Sequence, residues 1–337
     1  YHRNSRTSRG PLNVARLRVF MPKKIFSVTL LAAFLLWAGW YVANNLEAFR
    51  PVLEVTKTDA LILALAFMAI MLGNGLFIAV VSHAFGIRLV SPEWFSLSFA
   101  SSFANYFLPF RGGTGIRALY MNRVHGLPIT DFVSTLGIMY LMHVVVNGLM
   151  ALAGMGLIAR NGGTVNLILA AFFALVALSG LAAILVRFEI RRQFQRFPLV
   201  QIARLVNAWQ SVRADRSLVV KLWLLMFAMT AVTVLQCRAA FDAVAVSLSW
   251  EGVLVYAASK NLGALIGLTP GSLGVVELIS IYLGNVLGYS TADALSVQAL
   301  IRAVAIASLL SVGPVAIFYL RRRLGSVSAA AAGAPNA

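Results

Sequence analysis

The sequence predicts an all-α polytopic membrane protein with about six full transmembrane helices, two re-entrant helical hairpins and an inverted repeat. Three observations carry this. Hydrophobic residues make up 60% of the 337 positions and charged residues 12%, more apolar side chains than one soluble core of this size can hide. Apolar stretches of roughly 20 residues, enough to cross about 30 Å of hydrocarbon, recur from Ile25 almost to the C-terminus. Two further apolar segments are broken at their centres by Pro/Gly clusters, LPFRGGTG and LTPGSLG.

Residues 1–24 read as a basic N-terminal segment, and Met21-Pro22-Lys23-Lys24 directly before an apolar run makes Met21 the expected natural start, with a disordered basic tail as the alternative. Full spans are expected at 25–43, 60–85, 129–158, 165–186, 218–241 and 292–320, with the broken segments at 92–125 and 250–289. Trp37, Trp40 and Tyr41 give the first span an interfacial belt, so it is read as a retained helix and not a cleaved signal. The membrane domain runs over 25–322, and the Ala- and Ser-rich residues 323–337 are expected to be a disordered tail.

A net charge of +17 would point to nucleic acid in a soluble protein. Here Arg and Lys crowd into the short segments between apolar runs, as the positive-inside rule requires, and no nucleic-acid partner is expected. The basic groups at Arg3 to Lys24, Arg111 to Arg123, Arg187 to Lys221 and Arg321 to Arg323 are then cytoplasmic, as are both termini. That assignment closes only if each broken segment returns to the face it entered. The arm 115–125 agrees, being about 16 Å long as helix and too short to cross. The first hairpin would enter from the cytoplasm and the second from outside. Each half reads as a span, an apolar arm, a break, a short arm and a Gly followed five residues later by Asp (Gly126 with Asp131, Gly288 with Asp293), then a long span. Repeats of about 60–158 and 218–320 would thus be inverted in the membrane.

Between them, the linker 187–217 places Ile202, Leu205, Val206, Trp209 and Val212 at helical spacing opposite Arg204 and Arg213. With Arg191, Arg192 and Arg196, this predicts a helix on the anionic inner leaflet, each Arg attracted by about 1 kcal/mol; a solvated connector is the alternative.

Non-helical backbone at membrane depth needs protein or a water-filled cavity to satisfy its N–H and C=O groups, so two breaks imply a polar cavity. In the first, Gly112, Gly113 and Gly115 let a short arm begin near Thr114 and Gly115. Its free N–H groups then point into the cavity beside Arg111 and Arg117, a set suited to an anion. In the second, Pro270, Gly271, Ser272 and Gly274 form the break, Ser272 can cap the arm, and Glu277 falls in its opening turns. Glu277, Lys260 and Arg302 lie at depths where a lone charge is costly, so they are expected to pair or to line the cavity. Arg238 and Asp242 read as a local i,i+4 pair, and His83 and His143 as histidines bonded within the bundle. Cys237 is the single cysteine, and no His, Cys or carboxylate cluster has metal-ligand spacing, so neither disulfide, metal nor other cofactor is expected. GGTGIR lacks the Lys-Ser/Thr ending of a P-loop, which argues against ATP as direct driver.

At LPFRGGTGIRALYMNRVHGL and LTPGSLGVVELISIYLGNVLGYSTADALSVQALIR the chain resembles the lysylphosphatidylglycerol synthase transmembrane-region family, also called flippase-like membrane proteins, from about Phe26 to about Arg322. The resemblance implies inverted repeats with re-entrant hairpins and movement of a polar-headed lipid between leaflets. The family's first motif usually carries a Glu just before the Arg matching Arg117, where Thr114 and Gly115 stand here. A charged residue common early in the next span is replaced by Met139, Tyr140 and His143. Too few residues follow the last span for the family's aminoacyl-transferase domain, so lysyl-lipid synthesis is not expected.

The expected function is therefore that of a bacterial inner-membrane lipid translocase and not an enzyme. Arg111 and Arg117 would bind a phosphate-bearing headgroup, while Glu277, Lys260 and Arg302 gate or balance charge. The rivals are an enzyme or subunit acting on a lipid-linked sugar or aminoacyl lipid, and a non-transporting scaffold. Assembly as a homo-oligomer stays open.

Overall fold

A computed structural model describes residues 54–108, 110–185 and 215–332, together with isolated Leu36, Ala43, Val52 and Val212. The basic segment 1–24, nearly all of the expected first span 25–43, Pro109, and the linker with Arg191, Arg192, Arg196, Arg204 and Arg213 lie outside the described residues. The described chain is all-helical: α1 (Lys57–His83), α2 (Ser91–Phe107), α3 (Gly112–His125), α4 (Ile129–Arg160), α5 (Leu167–Leu185), α6 (Arg216–Ala243), α7 (Trp250–Ala264), a 3-10 turn (Pro270–Ser272), α8 (Val275–Leu287) and α9 (Thr291–Ala332).

Local chemistry sets these boundaries. Thr56, Asp215 and Ser249 each accept a backbone N–H of the first turn, at 3.1, 3.1 and 3.2 Å, and so start α1, α6 and α7. Pro92 opens α2, where its missing N–H costs nothing. α3 and α8 end at Gly126 and Gly288, both left-handed at φ 68° and 85°, the conformation that stops a helix and turns the chain into the next span. α9 continues past Gly325 to Ala332, beyond the point where the sequence predicts a tail, in keeping with the high helix propensity of its Ala run.

Among the described residues, six helices are long and apolar enough to cross a membrane: Lys57–His83, Ile129–Arg160, Leu167–Leu185, Arg216–Ala243, Pro270–Leu287 and Thr291–Ser326. Five coincide with expected spans. The sixth, Pro270–Leu287, is the second half of a segment the sequence reads as a hairpin, and its regular part is the 13-residue α8, only about 20 Å long. Large apolar side chains face outward along these helices, with Leu167, Ile168, Leu175 and Val315 all more than two-thirds exposed. That surface is suited to lipid.

The two broken segments fold back on themselves. In the first, Tyr120 and His125 at the end of α3 reach Glu93 at the start of α2, at 2.6 and 2.7 Å. In the second, the Ser280 hydroxyl of α8 bonds the Tyr256 hydroxyl of α7 at 2.8 Å, and Tyr289 just after α8 packs edge-on against Tyr256. Each is thus an antiparallel helical hairpin with its two ends together. α9 shows how they are disposed: its start adjoins the open end of the second hairpin, while Arg323, about 48 Å along the helix, reaches Glu93 at the open end of the first. α9 thus runs from the open end of the second hairpin to the open end of the first, and the two tips lie together between them.

The buried apolar residues follow the same division. One cluster, with Phe67, Leu97, Phe99, Met121, Phe132 and Leu309, packs the first hairpin against α1 and the later part of α9. Another, with Phe173, Phe241, Tyr256, Leu283 and Val297, packs the second against α4, α5, α6 and the start of α9. A third joins α1, α4 and α6 through Phe77, Ile138, Met142 and Met226.

Candidate functional site

Where the tips meet, the backbone is forced out of ordinary conformations. Phe110 and Arg111 in the first tip and Ser272 in the second are non-glycine residues at φ 54°, 52° and 53°. Such residues cost of order 1–3 kcal/mol each and persist only where surrounding contacts over-determine them. Around them lies a cavity of about 330 Å³, with walls from α1, α2, α3, α4, α6, α7 and the second break.

Arg111 bridges the tips. Its guanidinium donates to the Tyr140 hydroxyl of α4 and to the Ala264 carbonyl at the end of α7, and lies 4.9 Å from the centre of the Tyr140 ring. Gly267, at φ 51°, sits directly against this side chain, where any Cβ would collide with it. The α7 carbonyl that a helix end leaves unpaired is thereby satisfied. Ser272 donates to the same Ala264 carbonyl at 3.2 Å instead of capping the following arm. α3 begins at Gly112, and the Thr114 N–H is taken by Asn105 Oδ1 of α2 at 3.2 Å. Gly113 lies against the Ser101 carbonyl of α2, an approach only glycine permits, whereas Gly112 meets Leu108 and Gly115 has open space around its Cα.

Arg117 differs from Arg111. It is 8% exposed, stands 5.5 Å from the Phe132 ring centre, and its Nε is buried without a hydrogen-bond partner among the described residues. It lines the central cavity with Ser98, Ser101, Asn105 and Tyr106 of α2. A buried guanidinium donor with no acceptor is costly, and an incoming anion would remove that cost.

In the second hairpin Glu277 is 5% exposed and pairs with Arg302 of α9. Its other oxygen accepts from the Gly274 N–H at 2.7 Å, so the carboxylate caps its own helix. Arg302 also donates to the Gly271 carbonyl at 2.9 Å. The expected pairing of Glu277 and Arg302 is therefore present, while Lys260 stands apart: its ammonium faces Gln236 at 3.5 Å and the Cys237 sulfur at 3.8 Å. Pro270 is buried, and Gly274 reaches φ 85° at the start of α8. Arg238 pairs locally with Asp242 at 2.6 Å, and His143 bonds the Met139 carbonyl of its own helix at 3.1 Å while lining the cavity.

Much of the cavity wall is uncharged polar: Asn74, Thr230, Thr233, Asn261, Asn105 and the serines of α2. The sequence hints at only some of them: SPEWFSLSFASSFANYF is serine-rich for a membrane segment, Asn74 stands between Gly73 and Gly75, and Asn261 follows Lys260. The Glu93, Tyr120, His125 and Arg323 node also escaped sequence reasoning, since it joins residues up to 230 positions apart.

No curated protein matches the chain. Residues 24–331, nearly its whole length, match the Lysylphosphatidylglycerol synthase TM region. With the six apolar helices, that match makes the chain a member of the lysylphosphatidylglycerol synthase transmembrane-region family, a multi-pass membrane protein of lipid-related function.

Proposed function

We infer that the protein is a lipid translocase of the bacterial inner membrane, moving a phospholipid or polyprenyl-linked lipid whose phosphate enters the central cavity while its chains stay in the bilayer. The observation that carries this reading is Arg117, a buried cation lining the cavity whose Nε meets no acceptor among the described residues. On this reading both hairpins are re-entrant, which is supported by their adjoining ends and by the shortness of α8. The first opens to the cytoplasm, beside the basic end of α9, and the second to the outside, in the manner of inverted-repeat transporters. Both termini are cytoplasmic on this reading. For an anionic lipid moving outward, a potential negative inside contributes about 2.3 kcal/mol per charge per 100 mV, so no ATP site is needed.

Arg111, Tyr140 and the Ala264 carbonyl close the cavity between the tips, and the Glu277–Arg302 pair holds the second tip onto α9. Passage of a headgroup requires these contacts to exchange. Arg117 then binds the phosphate, while Glu277 competes for Arg302 as access changes.

Reconstitution into liposomes with fluorescent phosphatidylglycerol, scored for leaflet exchange by dithionite, tests the reading. Exchange should exceed that of protein-free vesicles. Arg117→Ala should lose about tenfold to a hundredfold in anionic-lipid affinity, the worth of a charge-assisted hydrogen bond, with thermal stability kept. Glu277→Gln should bind lipid and stop exchange. Rates in both variants equal to the parent, at normal stability, would remove the cavity from the mechanism.

A further inference from the structure

A second cavity, of about 300 Å³, runs between the first hairpin and the later part of α9. Its walls are apolar on all three helices, with Leu97 and Ala104 from α2, Ile116 and Leu119 from α3, and Ile317 and Leu320 from α9. An apolar slot on a surface bathed in lipid will take hydrocarbon whatever its shape. What distinguishes this one is the charge along it. Arg123 and Arg321 line it on the side nearest the hairpin's open end, both exposed and neither with an ion-pair partner among the described residues. Six residues deeper along α3, about 9 Å away, Arg117 also lines it. Arg117 and Ser101 also belong to the wall of the central cavity, so one side chain partitions the two spaces.

We propose that this groove is a binding site for an anionic membrane lipid, with one hydrocarbon chain in the slot and the phosphate between Arg123 and Arg321. The polarity of the slot runs the right way for a lipid standing in its own leaflet: cations at the level of the helix ends, apolar walls toward the bundle centre. A neutral lipid fills the apolar part equally well but offers the guanidinium groups nothing, and a zwitterionic one brings its phosphate together with an ammonium that offsets it, so the site favours a headgroup of net negative charge. Because Arg117 stands on both walls, the bound lipid waits next to the central cavity. That last step rests on the translocase reading; occupancy of the groove does not.

Photolabelling of the full chain in phosphatidylcholine nanodiscs separates the two. The probes are phosphatidylglycerol and phosphatidylcholine, each with a diazirine midway along one chain, and adducts are mapped by mass spectrometry. Phosphatidylglycerol should label 97–104, 116–123 and 317–324 in preference to phosphatidylcholine. Arg123→Gln and Arg321→Gln should each reduce that preference about fivefold, the effect of one surface charge. Ile116→Trp with Leu119→Trp should block the labelling. Both positions are nearly half exposed, so the fold tolerates the change. Equal labelling by the two lipids, or labelling that survives the tryptophans, overturns the groove even where leaflet exchange is measured. Selective labelling with no exchange above protein-free vesicles sinks the translocase reading and leaves the groove in place.

Discussion

In the second hairpin Glu277 accepts from the Gly274 N–H at 2.7 Å and from Arg302, which in turn donates to the Gly271 carbonyl at 2.9 Å. In the first, Arg117 is about as deeply buried and its Nε meets no acceptor among the described residues. The hairpins share a break of glycines and left-handed residues and an antiparallel return, yet one neutralises its charge internally and the other leaves a donor spare. Two elements built alike therefore do different work. The closed one fixes geometry, and the open one is where an anion gains most by entering.

The comparison breaks most sharply at Arg302. Its replacement by Ala leaves Glu277 buried without its cation and should cost about 3–5 kcal/mol, since the surviving charge bears the full desolvation penalty. Thermal unfolding in detergent reads this out. Adding Glu277→Gln should recover most of the loss, because an amide can still accept the Gly274 N–H. A melting temperature for Arg302→Ala equal to that of the parent would mean the second tip is not held by this pair. Arg117→Met should show the opposite sign, leaving stability equal or raised.

A smaller effect separates two glycines of the first break. A Cβ on Gly113 would overlap the Ser101 carbonyl oxygen and stand 2.8 Å from Asn105 Oδ1. Gly113→Ala should therefore destabilise by about 1–3 kcal/mol, as overpacking does. Gly115 has no neighbour within 4 Å, and Gly115→Ala should stabilise by about 0.5–1 kcal/mol through helix propensity. Equal melting temperatures for the two would show that the arms are not held by this close approach.

The spans and the breaks were legible because hydropathy and Gly/Pro placement are local signals: five expected spans lie within a few residues of described helices, and both tips fall at LPFRGGTG and LTPGSLG. The Glu277–Arg302 pair was legible as well, since charges at membrane depth must find partners. Lys260 obeys the same rule with uncharged neighbours, Gln236 and Cys237, which no charge count could indicate. Arg111 and Arg117 read alike in sequence, six residues apart beside the same glycines. Only the packing of α4 and α7 shows one to be a strut between tips and the other a free donor.

The open ends offer the last and smallest contrast. Each hairpin has a glutamate in the first turn of its leading arm, Glu93 in α2 and Glu251 in α7. The Glu93 side chain is fully buried; burial pushes its pKa up, but hydrogen bonds from His125 and Tyr120 and the charge of Arg323 outweigh this and hold it below the ordinary carboxylate value. Glu251 is also held low, by the backbone N–H at its own helix start and by the Asn161 amide at 2.7 Å, but in open solvent. A carboxylate whose folded pKa lies below its unfolded one contributes stability that is complete above the unfolded value and is lost as pH falls through the folded one. Both should therefore steepen the loss of stability below about pH 4.5, Glu93 through a node that ties α2, α3 and α9 together, and Glu251 through a single exposed contact. Melting curves from pH 7 to pH 3 should show Glu93→Gln with a lower plateau at neutral pH and a shallower acid slope than the parent. Glu251→Gln should track the parent closely at every pH, as exposed contacts contribute little. If Glu251→Gln flattened the acid slope as much as Glu93→Gln, the closure of the first hairpin at its open end would owe nothing to the burial of Glu93.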